Sequence, residues 1–366
     1  MTMPELSPFT PHATEIKNST LIFAYGFEDR ALTLPNKIFA TEAPEFVVGI
    51  RYTAAKGENR EGEARSLIAT RVSADNLYEV CYDTAKAAQF ESALLKALKK
   101  IDRPNNIILL DISATSKFLI LVCVVILLTA RYRVKLVYSE ALEYSPTKAQ
   151  FDAVYQPKQR IIRAFAGQPN SGVGSILRSA CLSSTRMQGQ PTCVVAFTSF
   201  NEELIRHAIG TINPHRLILI NGMPPRDDYD WRARATQEIH RNLLDEYPDD
   251  NKEDAASRML ARTVSTLDYR DSLTTLLDVH AQFSLHERMI YFATGSKMQA
   301  VALALLRMRF SDVHVEYPTP DSYFFKEYSR GAGTCHELDL SRFIRVLLEP
   351  EIDFHSVPSL VGDTYP

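Results

Sequence analysis

The fold of this chain is decided by one stretch, Ile290-Tyr291-Phe292-Ala293-Thr294-Gly295-Ser296-Lys297-Met298. Its apolar start is typical of a buried strand, and the residues after Met298 are strong helix formers. The stretch therefore predicts a strand, a tight turn and a helix. At such a junction Gly295 lets a ligand approach the main chain, where the first N–H groups of the helix are unpaired and partly positive. Thr294 and Ser296 add hydroxyl groups, and Lys297 adds a mobile cation that suits phosphate.

A second copy of this junction lies upstream. The apolar run at 106–110 continues into Asp111-Ile112-Ser113-Ala114-Thr115-Ser116-Lys117 and then into an apolar stretch from Phe118 to Ala130. A Ser-Lys pair therefore occurs at 116–117 and again at 296–297, each time between a strand-like run and a helix-like run. This repetition predicts an internal duplication.

The stretch from Phe118 to Ala130 is almost wholly apolar and needs its own explanation. It is shorter than the about 20 residues that a membrane-spanning helix requires. Polar residues interrupt its counterpart at 298–308, which is typical of a helix in a soluble protein. We therefore predict a helix that is buried on most sides, and no membrane partner.

The composition indicates a soluble globular protein. The chain has 366 residues, which suits two domains, with 45% apolar and 23% charged residues. A net charge of −3 argues against duplex nucleic acid as a partner. The five cysteines form no CxxC pair and the nine histidines show no metal-ligand spacing, so we expect reduced thiols, no metal and no cofactor. The first residues are acidic and proline-containing, unlike a signal peptide, and we expect a cytoplasmic protein.

Strand-like and helix-like runs alternate along the chain, which predicts an α/β fold. We expect two tandem Rossmann-like units with mainly parallel sheets. The first unit is assigned to residues 1–150, a connector to 151–190, the second unit to 191–335, and a C-terminal helix and tail to 336–366.

Ligands of open α/β sheets bind beyond the carboxyl ends of the strands. Five polar turns follow such ends, at 25–30, 111–117, 198–202, 221–222 and 294–297. Two units side by side would form one composite groove for an elongated ligand with several phosphates. The predicted ligand-binding residues are Tyr25, Gly26, Glu28, Arg30, Asp111, Ser113, Ser116, Lys117, Thr198, Ser199, Asn201, Asn221, Thr294, Gly295, Ser296 and Lys297.

A structural explanation competes with binding at each junction. Ser116 and Ser296 are good helix caps, and Lys117 and Lys297 could be solvated lysines. A cation in the first turn opposes the helix dipole, however, so two lysines in equivalent positions favour a binding role. In this role Lys297 serves binding and not folding. Because a surface lysine contributes little to stability, its replacement by alanine should leave thermal stability unchanged or slightly raised.

The stretch Ala293-Thr294-Gly295-Ser296-Lys297-Met298 resembles the Thr-Gly-Gly-Thr-Lys signature of CRISPR-associated Rossmann-fold sensor domains, known as CARF. The tandem arrangement resembles the SAVED domain, in which two CARF-like units are fused. Such domains bind cyclic oligonucleotide second messengers in bacterial antiviral signalling. The resemblance implies that Thr294, Gly295, Ser296 and Lys297 contact the ligand, together with Ser116 and Lys117. Asp111 in the first copy would repel phosphate, which disfavours a symmetric ligand.

Three functions follow from these observations. The leading one is a cytosolic nucleotide sensor in antiviral defence, which signals through a separate effector protein or through homo-oligomerisation. The second is an enzyme of the ring-nuclease type, in which Ser116, Lys117, Ser296 and Lys297 would be catalytic. The third is a structural subunit of a defence complex.

Overall fold

The computed structural model describes residues 3–53, 59–101, 106–155, 170–245, 262–324 and 328–343. In these ranges the apolar runs form strands and the amphipathic stretches form helices, in the alternation that the sequence predicts. The strands are β1 Ser7–Pro8, β2 Ser19–Ala24, β3 Phe46–Tyr52, β4 Leu77–Tyr82, β5 Ile107–Asp111, β6 Arg133–Ser139, β7 Glu143–Tyr144, β8 Asn170–Ser171, β9 Ser175–Leu177, β10 Thr192–Phe197, β11 Arg216–Met223, β12 Thr263–Ser265, β13 Arg288–Phe292, β14 His314–Thr319, β15 Ser322–Tyr323, β16 Ser329–Arg330 and β17 Cys335–Asp339.

The helices lie between these strands, and most of them connect parallel neighbours. The α-helices are α1 Ala13–Lys17, α2 Thr33–Thr41, α3 Glu61–Ala69, α4 Ala87–Ile101, α5 Lys117–Thr129, α6 Lys148–Asp152, α7 Glu202–Ile212, α8 Trp231–Asp245, α9 Tyr269–Phe283 and α10 Lys297–Arg309. Short 3₁₀ helices span Asp29–Leu32, Ala74–Asn76, Thr84–Lys86, Ala180–Leu182, Asp227–Tyr229 and Leu340–Arg342.

The two large sheets have the same strand order, which confirms the internal duplication and the α/β fold. The sheet of the first unit runs β1-β17-β6-β5-β2-β3-β4. The sheet of the second unit, in the matching direction, runs β9-β14-β13-β10-β11-β12. In each unit five neighbouring strands pair in parallel. β2, β3, β4, β5 and β6 thus correspond to β10, β11, β12, β13 and β14.

Each sheet gains an antiparallel strand from a segment that follows the other unit in the sequence. β9 lies between the units and pairs with β14, and β17 follows the second unit and pairs with β6 of the first. Two small pairings, β7 with β16 and β8 with β15, join the same segments. The connector and the start of the tail are therefore parts of the sheets. The predicted C-terminal helix falls mostly beyond residue 343, outside the described residues.

The two units meet through α5 and α10, which pack against each other. Both helices have 13 residues and begin at the lysine of a Ser-Lys pair. From Phe118 to Leu128 every residue of α5 is buried, which confirms the prediction of a helix that is covered on most sides. None of the helices in the described ranges combines the length and the apolarity that a membrane crossing requires.

Candidate ligand-binding cavity between the two units

A cavity of ≈ 430 Å³ lies where the carboxyl ends of the two sheets face each other. Its size falls in the roughly 300–1,000 Å³ range of small-molecule sites. Both units contribute to its wall, as the composite groove predicted from the sequence requires. The predicted residues that line it are Tyr25, Gly26, Glu28, Arg30, Ser116, Lys117, Thr198, Ser199, Asn201, Thr294, Gly295, Ser296 and Lys297.

The other three predicted residues, Asp111, Ser113 and Asn221, are buried and do not line the cavity. Asp111 accepts a hydrogen bond from the Ser113 main-chain nitrogen at 2.8 Å. Burial raises the pKa of Asp111 to about 6, against the opposing effect of this hydrogen bond. Asn221 accepts from Thr198 Oγ1 at 2.7 Å and donates to the carbonyl of Ala233 at 2.9 Å. These buried side chains therefore stabilise the turns without lining the cavity.

The two lysines cross between the units. Lys117 Nζ donates to the carbonyls of Thr294 and Gly295, at 2.9 and 2.8 Å. Lys297 Nζ donates to the carbonyl of Thr115 at 2.7 Å. Each ammonium therefore binds the main chain of the turn that precedes the other lysine. An ammonium has three N–H groups, so both lysines retain donors that can face a ligand in the cavity.

This geometry corrects one expectation. The side chain of Lys297 is only 14% exposed, so it is not a surface lysine. The reason for expecting that its replacement by alanine leaves the stability unchanged therefore does not hold. Burial lowers its pKa to about 7, although the charge of Glu28 raises it. Burial likewise lowers the pKa of Lys117 to about 8.

In the first unit, Glu28 and Arg30 form a buried ion pair at 2.7 Å. Burial favours protonation of Glu28, but the charges of Arg30 and Lys297 outweigh it and lower the pKa of the carboxyl group. Arg30 Nη1 also donates to Tyr138 Oη and to the carbonyl of Ser139. Glu28 is therefore a carboxylate whose charge is already balanced by the protein.

The hydroxyl groups at the junctions have structural partners. Ser116 Oγ accepts from the nitrogen of Leu119, and Ser296 Oγ accepts from that of Gln299, so both serines cap their helices. Ser296 Oγ also donates to the carbonyl of Thr266 at 2.7 Å. The hydroxyl of Thr294 donates to the carbonyl of Phe197. The capping explanation considered for the two serines is thus correct.

Most of the aromatic lining was not predicted from the sequence. Phe27 and Phe200 lie inside the polar turns at 25–30 and 198–202 and could have been recognised there. The tyrosines come from distant segments that carry no shared motif. The aromatic lining residues beyond Tyr25 are Phe27, Tyr52, Tyr82, Tyr138, Tyr144, Phe200, Tyr229, Tyr317, Tyr323 and Tyr328.

The lining also contains cations and polar groups that the sequence analysis missed. Arg226 and Arg232 contribute guanidinium groups from the β11–α8 region. Gln299 Nε2 and Asn201 Oδ1 are buried and have no hydrogen-bond partner among the described residues. Buried polar groups are normally paired, so these two atoms indicate a partner in the cavity, either water or a ligand. Gln299 could have been recognised as the third residue of the Ser296 capping box.

Among the described residues, no group of three or more His, Cys, Asp or Glu side chains could hold a metal ion. A scan against models of protein families finds no match for the chain, and a search among curated proteins finds none either. The chemistry of the cavity is therefore the basis for assigning a function.

Proposed function

We propose that the chain is a sensor that binds one nucleotide-type ligand, of the cyclic oligonucleotide class, in the cavity between its units. The observation that carries this proposal is the position of the two Ser-Lys junctions, which line one cavity together instead of two separate ones. A ligand there touches both units at once. Its binding can therefore change how the units pack.

The lining suits the parts of a nucleotide. Aromatic rings from both units offer stacking surfaces for bases, and such stacking tolerates different bases. Five basic side chains line the cavity, with Glu28 and Glu140 as the acidic ones, so phosphate is favoured electrostatically. The basic residues are Arg30, Lys117, Arg226, Arg232 and Lys297.

Binding is better supported than cleavage. A ring nuclease would use Ser116 or Ser296 to position a 2′-hydroxyl, but both serines are occupied as helix caps. Resemblance to CARF and SAVED domains supports a role in antiviral defence in the cytoplasm. The signal would then pass to a separate effector protein or through association of identical chains.

Mass spectrometry of small molecules released from the purified full chain tests the proposal. We expect a nucleotide with at least one phosphate in stoichiometric amount, and no cleaved product after incubation with that compound. Ser199→Trp should abolish the co-purification because Ser199 lines the cavity and indole would fill it. Ser92→Trp, on the exposed face of α4, is the matched control. Release of the same compound from both variants would contradict the proposal.

A further inference from the structure

The duplication allows the two sides of the cavity to be compared position by position. Ala24 pairs with Ile50 in the first unit, and Phe197 pairs with Ile220 in the second. The next residue donates its N–H to that partner's carbonyl in both units, at 2.9 Å. Counting onward from this shared register, Glu28 and Asn201 occupy equivalent positions.

The two equivalent positions differ by one charge. Glu28 is 4% exposed, pairs with Arg30 and lies 3.9 Å from Lys297 Nζ. Asn201 is 3% exposed, and its Nδ2 donates to Asn170 Oδ1 at 2.9 Å and to the carbonyl of Gly172 at 3.3 Å. Where the first unit has a carboxylate opposite a lysine, the second unit has a neutral amide.

The lysines differ accordingly. The charges of Glu28 and Asp111 both act on Lys297. The strand register makes Phe292 the counterpart of Asp111, so the second unit lacks this carboxyl group as well. Lys117 makes no ion pair with any residue that the structure describes. Because burial alone lowers its pKa to about 8, Lys117 is mostly protonated at neutral pH.

A second cation, Arg232 of the second unit, is also without an acidic partner among the described residues. Arg232 lies 4.6 Å above the ring of Phe200 and donates to the carbonyls of Ser145 and Pro146, at 3.0 and 2.6 Å. It makes no ion pair among the described residues. The two acids that follow Asn201 in the sequence are already in use, since Glu202 pairs with Arg206 and Glu203 accepts from the nitrogen of Gly172.

We infer that the cavity is asymmetric: it binds one phosphate on the side of the second unit, with Lys117 and Arg232 as its cations, and an uncharged part of the ligand beside Glu28. The ligand thus presents a phosphate to the second unit and an uncharged group to Glu28. Asn201 Oδ1, which has no partner among the described residues, accepts a hydrogen bond from a ligand hydroxyl or amino group. That the phosphate belongs to a nucleotide rests on the proposed function. The placement of the charges in the cavity does not depend on it.

The inference is tested with two probes, inorganic phosphate and 5′-AMP, titrated into the full chain and followed by calorimetry. Lys117→Gln should weaken the binding of both probes by about tenfold or more, since a charge-assisted hydrogen bond is lost. Lys297→Gln should weaken it clearly less. Glutamine keeps an N–H donor for the carbonyls that the lysines bind, so the two variants form a matched pair.

Asn201→Asp provides an independent variant, because it places a carboxylate where Glu28 lies in the other unit. It should weaken the binding of phosphate by about tenfold or more. Asn201→Ala loses the same amide donor without adding a charge, so it separates the effect of charge from that of lost hydrogen bonds. Thermal unfolding of each variant shows whether it is folded under the conditions of the titration.

The outcomes separate the inference from the proposed function. If phosphate binds, and Lys117→Gln and Asn201→Asp weaken its binding clearly more than Lys297→Gln does, the inference holds even when no cyclic oligonucleotide binds. If nucleotides bind but Lys117→Gln and Lys297→Gln lose affinity equally, one anion bridges both lysines; the sensor proposal then survives and the inference is wrong. If the wild-type chain binds neither probe, the phosphate subsite does not exist.

Discussion

Lys117 and Lys297 each donate to main-chain carbonyls that lie two or three residues before the other lysine, with distances of 2.7 to 2.9 Å. The two junctions therefore hold each other in place across the boundary between the units. We expect a ligand in the cavity to contact both turns, since both line it. We expect these hydrogen bonds to transmit a change at one junction to the other.

The serines provide the first prediction. Ser296→Ala removes the cap of α10 and a donor to the carbonyl of Thr266, so it should lower the free energy of unfolding by about 1–3 kcal/mol. Ser116→Ala loses only a cap and should cost about 1 kcal/mol. Urea unfolding measures both values. Ser66→Ala, on the exposed face of α3, is the control and should have little effect. Equal, negligible effects in all three variants would contradict the capping role.

The buried lysines provide a prediction about pH. Burial lowers the pKa of Lys297 from its ordinary 10.5 to about 7. Between these values the unfolded chain binds more protons than the folded chain, so this lysine makes the free energy of unfolding rise with pH. Lys297→Met should remove roughly 1–3 kcal/mol of that rise between pH 7 and 9.5.

Urea unfolding at the two pH values measures this difference. Lys148→Met is the control, because Lys148 is 60% exposed and should leave the pH dependence unchanged. Identical pH dependence in the wild type and in Lys297→Met would mean that Lys297 is solvated and does not cross between the units.

The interface between α5 and α10 provides the third prediction. Val124 is fully buried in α5, so Val124→Asp places a carboxyl group in an apolar interior. We expect loss of the cooperative unfolding transition, or a free energy of unfolding lowered by more than about 3 kcal/mol. Leu95→Asp is the matched control, because Leu95 of α4 is 39% exposed. This variant should stay folded. Circular dichroism during thermal unfolding distinguishes the two. A Val124→Asp variant as stable as the control would place α5 at the surface.

Sequence periodicity was sufficient for the fold because apolar runs in parallel sheets are continuous and easy to recognise. It predicted the strand, turn and helix at Lys117 and at Lys297, and the burial of the helix after Phe118. It missed β9 and β17, since each of them acquires its structure by pairing with a strand that is far away in the sequence. No local pattern records such pairing.

The site was predicted only where it depends on single turns. The close packing at Gly26 is an example of what single turns do not predict. A Cβ at this position would lie 2.3 Å from the Cβ of Ala114, and the two segments are far apart in the sequence. The crossing of the lysines and the ion pair of Glu28 with Lys297 also depend on how the units pack. Likewise, Arg232 gains its position from the loop that contains Ser145, which no motif links to it.

The central claim is that both units together bind one nucleotide. The most direct measurement is calorimetric titration of the full chain with cyclic di-, tri- and tetranucleotides, with the stoichiometry as the readout. We expect one molecule bound per chain for at least one member of the panel, because both Ser-Lys junctions line a single cavity. Two independent sites per chain, or no binding by any member of the panel, would contradict it.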